Sequence, residues 1–218
     1  MKIFSKCLKK SLDGSNQEEI NEDIILKESS LSSIERNFAG MQFETKDKTS
    51  LKVFKDIYSK IYSDFKSQND YNVLERIKEN LNDLSSRYLL LILKSSTSIF
   101  LLTTILSDLK KEYVFYIGSS FEEDLNSEEY ALKVLNKLQI YLENGIILIL
   151  INFESVYPMM YDLFNQNFTV ISNKNYARLA VGSNTSTYAY VNNEFRCIVN
   201  VDSNEIGSEE PPFLNRFE

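Results

Sequence analysis

At 218 residues, 43% hydrophobic and 25% charged, the chain can bury one good core with a short appendage. Its formal net charge of −7 and pI of about 4.9 argue against a nucleic-acid binder, whose phosphate contacts need a surplus of Lys and Arg on one face. Histidine is absent and Cys7 and Cys197 are the only cysteines, which excludes Ser-His-Asp and Cys-His catalysis and most zinc sites, and points to a reducing compartment such as the cytoplasm.

The first residues, Met1 to Ser15, begin basic but lack the continuous apolar run of a signal peptide. Residues up to about Leu31 are polar and mixed in charge, and read as helical or loosely ordered. The stretch Ile34–Gly40 reads as a helix end followed by a loop. Leu51, Phe54, Ile57, Tyr58, Ile61 and Phe65 fall at helical spacing on one face, and Val73, Leu74, Ile77 and Leu81 give a second amphipathic helix.

At Arg87 the pattern changes. The run RYLLLIL suits a strand buried on both faces, and Ser96 to Leu109 reads as a helix. EYVFYIG is a second buried strand, ending in Gly118. Asn126 or Ser127 caps a long helix that stops at Asn144-Gly145. The strongest strand is GIILILIN, Gly145 to Asn152, almost wholly β-branched or Leu. Val156 to Asn165 returns to helix. Residues 168–191 alternate more and carry the turn residues Gly182-Ser183-Asn184, which predicts a hairpin inserted after the third sheet strand. FRCIVNV, Phe195 to Val201, is the fourth buried strand. Strands alternating with helices predict an α/β fold, with a mostly parallel sheet covered by helices. The longest apolar runs, Tyr88–Leu93 and Ile146–Ile151, fall well short of the about 20 residues that a membrane-spanning helix needs. The predicted organisation is an N-terminal segment over residues 1–33, a helical lead-in over 34–84 and an α/β core over 85–218.

In open parallel sheets ligands bind beyond the carboxyl ends of the strands, so the residues after each strand matter most. After the first comes Lys94-Ser95-Ser96-Thr97-Ser98. A phosphate cradle needs glycines so that successive N–H groups turn inward, and this segment has none. A serine-rich helix cap is the plainer reading; a weak anion contact by Lys94 and the hydroxyls is the alternative. After the third strand come Asn152-Phe153-Glu154. A Walker B strand ends in Asp-Glu, where Asp helps hold Mg²⁺ and Glu orients water. Asn152 is neutral and a poorer magnesium partner. Asn152 and Glu154 read as a Walker B remnant, or as a plain Asn turn with Glu154 at a helix N-terminus. Asp202, Ser203 and Asn204 follow the fourth strand. Ser119, Ser120, Phe121 and Asp124 follow the second, as a site rim or simply a turn. Arg216, on a short element beyond the last strand, either reaches a neighbour's phosphate or is a surface arginine paired with Glu218 or Glu210.

Several landmarks then occur in a fixed order: IERNFAG at 34–40, NLNDLSSRYLLLILKSS at 80–96, YIGSSFEEDL at 116–125, NGIILILINFESVYPMMYDLFNQNF at 144–168, FRCIVNVD at 195–202 and PPFLNRFE at 211–218. Residues 34–218 resemble a segment of the mysterin-type family of giant AAA+ RING-finger E3 ubiquitin ligases. The most specific part is the helix bearing Tyr157, Tyr161, Asp162, Asn165 and Gln166, joined to LNR. Ala39 and Phe217 depart from the family's glycine and leucine. The resemblance implies a degenerate AAA+ unit, P-loop NTPase-like but without its phosphate loop and with its helical lid missing, placed after the ATP-hydrolysing units. It also implies a role for Asn200 at the polar sensor position of a remnant nucleotide site with Lys94, Asn152 and Glu154, and for Arg216 as an arginine acting in trans. Phe213, Leu214 and Phe217 anchor the turn from which Arg216 projects. No cofactor or metal is expected in this chain, with ATP and Mg²⁺ belonging to neighbouring units. The expected partners are those neighbouring AAA+ units and the ubiquitin system, with no nucleic acid. The alternative is a stand-alone α/β nucleotide-binding or protein-interaction domain.

Overall fold

A computed structural model describes residues 22–38, 50–63, 72–181, 185–204 and 211–218. The chain divides into two compact units, Met1–Asn72 and Val73–Glu218.

In the first unit, helix α1 spans Glu22–Phe38 and helix α2 spans Ser50–Ile61. Buried Tyr58 on α2 donates its hydroxyl to the Lys27 carbonyl at 2.7 Å, and Lys55 pairs with the nearly buried Glu35 at 2.7 Å. These two links lock α2 onto α1. The apolar stripe expected on α2 is only partly used, since Ile57 and Ile61 stay exposed. Phe65 and the loop of the Ile34–Gly40 landmark lie outside the described residues.

The second unit opens with helix α3 (Val73–Asn82), followed by strand β1 (Leu89–Leu93). A 3₁₀ turn over Ser96–Leu101 leads into helix α4 (Leu102–Leu109), then strand β2 (Tyr113–Ile117). Short helix α5 (Glu122–Leu125) precedes helix α6 (Glu128–Asn144). Ser127 caps α6 by accepting from the Tyr130 amide at 3.2 Å, and Gly145 ends it with a left-handed φ of 69°. Strand β3 (Ile147–Ile151) is buried at every position. A 3₁₀ turn (Tyr157–Met160) and helix α7 (Tyr161–Phe164) follow. Then come strands β4 (Phe168–Ile171), β5 (Lys174–Val181), β6 (Thr185–Val191) and β7 (Arg196–Asp202), and helix α8 (Pro211–Leu214).

The central sheet has four parallel strands in the order β1-β7-β3-β2. Strand side chains alternate between its faces. Ile147, Ile149, Ile151 and Ile198 pack with Ile77, Leu81, Ile99, Leu102, Ile105 and Leu106 from α3, the first 3₁₀ turn and α4. On the other face, Leu148, Leu150, Cys197, Val199 and Val201 meet α6, the segment Val156–Phe164, and Phe213 and Phe217. Helices thus cover both faces, as the apolar runs require. Each fully buried Leu or Ile contributes roughly 1.5–3 kcal/mol before entropy is counted.

The insert after β3 is a three-stranded antiparallel sheet, β4-β5-β6. Its β5–β6 pair is the expected hairpin, whose Gly182-Ser183-Asn184 turn lies outside the described residues. β4 adds a third strand through a two-residue turn. Ser172 (φ 50°) and Asn173 (φ 61°) both take left-handed backbone, the conformation that matches the twist of a tight hairpin. The inner face of this sheet, Ala177, Leu179, Ala189 and Val191, joins the core around α6.

Candidate functional site

Because the four central strands are parallel, their carboxyl ends share one edge of the sheet. Lys94 follows β1 and is exposed. Ser95 occupies the cap position in extended backbone (φ −148°), but its side chain makes no capping bond to the 3₁₀ turn. The serine-cap reading therefore holds for position and not for the bond. Asn200 lies on β7 opposite Leu91, one residue beyond the Leu150–Val199 pair, and so level with the end of β3. It is 6% exposed, and its Oδ1 has no hydrogen-bond partner among the described residues. A buried acceptor left unpaired costs about 1–3 kcal/mol.

Asn152 is exposed and takes a left-handed φ of 59°, which Asn tolerates better than most residues. That bend brings the chain across Gly118. The Gly118 amide donates to the Ile151 carbonyl at 2.8 Å, and a Cβ on Gly118 would lie 1.8 Å from the Asn152 carbonyl oxygen. Only glycine fits where the ends of β2 and β3 touch. Glu154 stands exposed in the turn beyond. The rim after β2 satisfies itself: the Ser119 hydroxyl bonds Asp124, and the Ser119 amide donates to the Tyr130 hydroxyl at 2.7 Å. Neither a simple turn nor an open rim results: Ser119 to Phe121 form a short loop that runs into α5, which carries Asp124. Lys94, Asn152, Glu154 and Asn200 thus gather at one end of the sheet.

Arg216 lies at the other end. The Glu218 amide donates to the Tyr88 carbonyl at 2.9 Å and the Leu90 amide donates to the Glu218 carbonyl at 3.1 Å, which seats residues 216–218 beside the start of β1. Phe213 and Phe217 are buried as expected, and Leu214 packs partly buried against the same core. Phe213 stacks on Tyr157 at 5.0 Å, and Phe217 meets Phe164 at 5.0 Å. The expected projection of Arg216 is not found: the side chain is half-buried, its guanidinium lies over the Tyr161 ring 4.0 Å from the centroid, and its Nε is buried without a hydrogen-bond partner among the described residues. The expected Glu218 pairing is not found: that carboxylate instead accepts from Asn80 Nδ2 at 3.4 Å. Glu210 lies outside the described residues.

Around this end the landmarks of the sequence meet one another. Arg87 donates to the Asn215 carbonyl at 2.7 Å, and Gln166 to the Ser86 carbonyl at 3.0 Å. Buried Arg196, at the head of β7, ties these together. Its Nη1 donates to the Ser86 carbonyl (2.9 Å), and its Nη2 to the carbonyls of Asn80 (3.0 Å) and Arg87 (2.8 Å) and to Asn80 Oδ1 (2.8 Å). Its guanidinium also faces the Tyr88 ring at 5.4 Å. Burial pulls the Arg196 pKa down, opposed by Tyr88, Asp83 and Glu218, while burial pushes the Tyr88 phenol and the Cys197 thiol up. Asp162 pairs with Arg178 at 2.7 Å and so ties α7 to the inserted sheet.

The model of the RNF213 AAA domain matches residues 78–218. The chain belongs to the RNF213 AAA domain family. Its match begins inside α3 and takes in the whole central sheet and the insert, so the RNF213 segment coincides with most of the second unit. The chain is 28% identical over 193 residues to the E3 ubiquitin-protein ligase rnf213-beta of Danio rerio, covering 84% of this chain and 4% of that protein. It is 28% identical over 207 residues to a putative uncharacterized transmembrane protein of Dictyostelium discoideum, covering 86% of this chain and 3% of the relative. The E3 ubiquitin-protein ligase RNF213 of Mus musculus matches at 28% over 155 residues, 69% of this chain and 3% of the relative. The chain therefore spans a few per cent of the length of these relatives. No helix among the described residues is long and apolar enough to cross a membrane.

Arg196, Asn80 and Gly118 carry roles that reading the sequence left unassigned. The available signal was a charged residue opening the mostly apolar strand FRCIVNV, and a glycine ending EYVFYIG.

Proposed function

We propose that this RNF213-type segment is a non-hydrolysing AAA module of a mysterin-like E3 ubiquitin ligase, packed beside an active ATPase unit to which it offers Arg216 in trans. The observation that carries the reading is the glycine-free segment Lys94–Ser98 after β1, which lacks the backbone nest that β- and γ-phosphates need. Asn152 supports it, because a neutral amide stands at the end of β3 where a magnesium-holding carboxylate belongs. These residues fit Mg-ATP poorly, so ATP and Mg²⁺ are assigned to the neighbouring units and no step is assigned to Lys94, Glu154 or Asn200. The same reading places the chain in the cytoplasm, where Cys7 and Cys197 stay reduced, and in contact with the ubiquitin system.

Arg216 suits the role assigned to it. Two prolines precede it, the buried Phe213 and Phe217 hold its turn, and the Tyr161 ring supports its guanidinium. A planar fork meets phosphate oxygens in a way lysine does not. The test is Arg216→Ala in a polypeptide carrying this segment next to an ATPase unit. Hydrolysis by that unit should fall, by up to about a thousandfold if the dependence equals that of other trans arginines. Its nucleotide affinity should barely change. Hydrolysis at the parent rate would make Arg216 a purely structural arginine.

A further inference from the structure

The inserted sheet has a second face that the core does not use. Alternation along β5 and β6 sends Ala177, Leu179, Ala189 and Val191 inward. It leaves Tyr176 opposite Tyr190, and Arg178 opposite Tyr188, on the outer side. Ile171 and Lys174, paired with each other at the β4–β5 turn, extend the same face. Tyr176 and Tyr190 touch with ring centroids 5.9 Å apart, and Lys174 Nζ sits 5.2 Å from the Tyr190 centroid. Tyr188 is 53% exposed and Ile171 51%. The result is a continuous aromatic tract edged with cations.

Its electrostatics run against those of the chain. Residues 168–191 contain Lys174 and Arg178 and no Asp or Glu, in a protein whose net charge is −7. The hydroxyls of Tyr176, Tyr188 and Tyr190 donate no hydrogen bond among the described residues. Arg178 uses Nε on Asp162, which leaves the outer nitrogens of its fork for another acceptor. The strands of this face thus offer several donors and no carboxylate; the Asp162 carboxylate of α7 balances Arg178, which leaves Lys174 as the uncompensated cation. Tyr and Arg are also the side chains that interfaces favour, because they bury much area at small entropic cost.

We infer that the outer face of the β4-β5-β6 sheet docks an acidic peptide segment of a partner protein, whose carboxylates accept from Lys174, Arg178 and the tyrosine hydroxyls. A nucleic acid would bring acceptors of the same sign, and the oligodeoxythymidine arm of the experiment below separates it from an acidic peptide. This inference rests on the insert alone and is independent of Arg216 and of ATP.

The experiment is fluorescence anisotropy with the full chain and a fluorescein-labelled peptide rich in Asp and Glu. The controls are a Lys-rich peptide of equal length and labelled oligodeoxythymidine. Binding of the acidic peptide alone, weakened by added salt, is expected. Lys174→Glu and Tyr190→Ala should each weaken it by about tenfold or more. Tyr188→Ser, at an exposed position, should weaken it as well and serves if Tyr190→Ala fails to fold. Equal binding of the Lys-rich peptide, preference for the oligonucleotide, no binding at all, or affinity unmoved by these substitutions would overturn the inference. So would concentration-dependent self-association removed by the same substitutions, since the occupant would then be a second copy.

Discussion

Replacing Arg196 with lysine keeps a cation at the head of β7 but removes the planar fork. The guanidinium serves the carbonyls of Ser86, Asn80 and Arg87 and the side chain of Asn80, at 2.8–3.0 Å, from two nitrogens pointing in different directions. A single ammonium on a shorter reach cannot serve both the Ser86 side and the Asn80–Arg87 side. Two buried acceptors would lose their donor, at about 1–3 kcal/mol each, for a total of about 2–6 kcal/mol. Against a typical stability of about 5–15 kcal/mol that is a large fraction. A chain of 218 residues would melt lower by roughly 5–20 °C at about 2–4 °C per kcal/mol. Arg196→Met should do at least as much harm, because it strands every one of the acceptors. Urea unfolding followed by circular dichroism and tyrosine emission is the assay, since the chain has 13 Tyr and no Trp. Asn80→Ala combined with Arg196→Lys should be less damaging than the sum of the two, with a coupling of about 0.5–3 kcal/mol. An unchanged midpoint in Arg196→Lys, or strict additivity with Asn80→Ala, would refute the clamp.

Two further outcomes follow from the same geometry. Gly118→Ala forces a Cβ against the Asn152 carbonyl, a contact of 1.8 Å that only separation of the β2 and β3 ends relieves, so it should cost about 1–3 kcal/mol in thermal melts; a melt equal to the parent's would mean the two ends part freely. Alkaline pH should also weaken the fold. Burial pushes the Tyr116 phenol from 10.0 up to about 12 and raises the Cys197 thiol above its ordinary 9.0. The unfolded chain therefore releases protons that the folded chain still holds, and stability present below about pH 9 is lost progressively towards pH 12. Urea midpoints that stay flat or rise between pH 9 and pH 12 would contradict the assignment.

What could be read in advance was local. β3 declared itself because six apolar residues stand between Gly145 and Asn152, and the α6 cap because Ser127 precedes a Leu-rich helix. β4 was harder. It is four residues long and its turn reaches positive φ with Ser172 and Asn173 rather than with a glycine. The burial of Phe213 and Phe217 was legible from their type and spacing, whereas the Tyr161 shelf beneath Arg216 was not, because it belongs to a helix far away in sequence. Arg196 is the sharpest case. Its identity was plain, but the Ser86 and Asn80 carbonyls that make it necessary lie 110 and 116 residues away. Asn152 is similar: a neutral residue at a strand end was visible, while its left-handed turn against Gly118 comes from the meeting of two strands.

The central claim is that this RNF213-type module does not turn over ATP by itself, and phosphate release from Mg-ATP by the purified chain tests it most directly. The account predicts no release above the protein-free blank at any nucleotide concentration, because the segment Lys94–Ser98 has no glycine to turn successive N–H groups around the β- and γ-phosphates. Magnesium-dependent release that disappears in Glu154→Gln would contradict it, and would make the strand ends at Lys94, Asn152 and Asn200 a working nucleotide site.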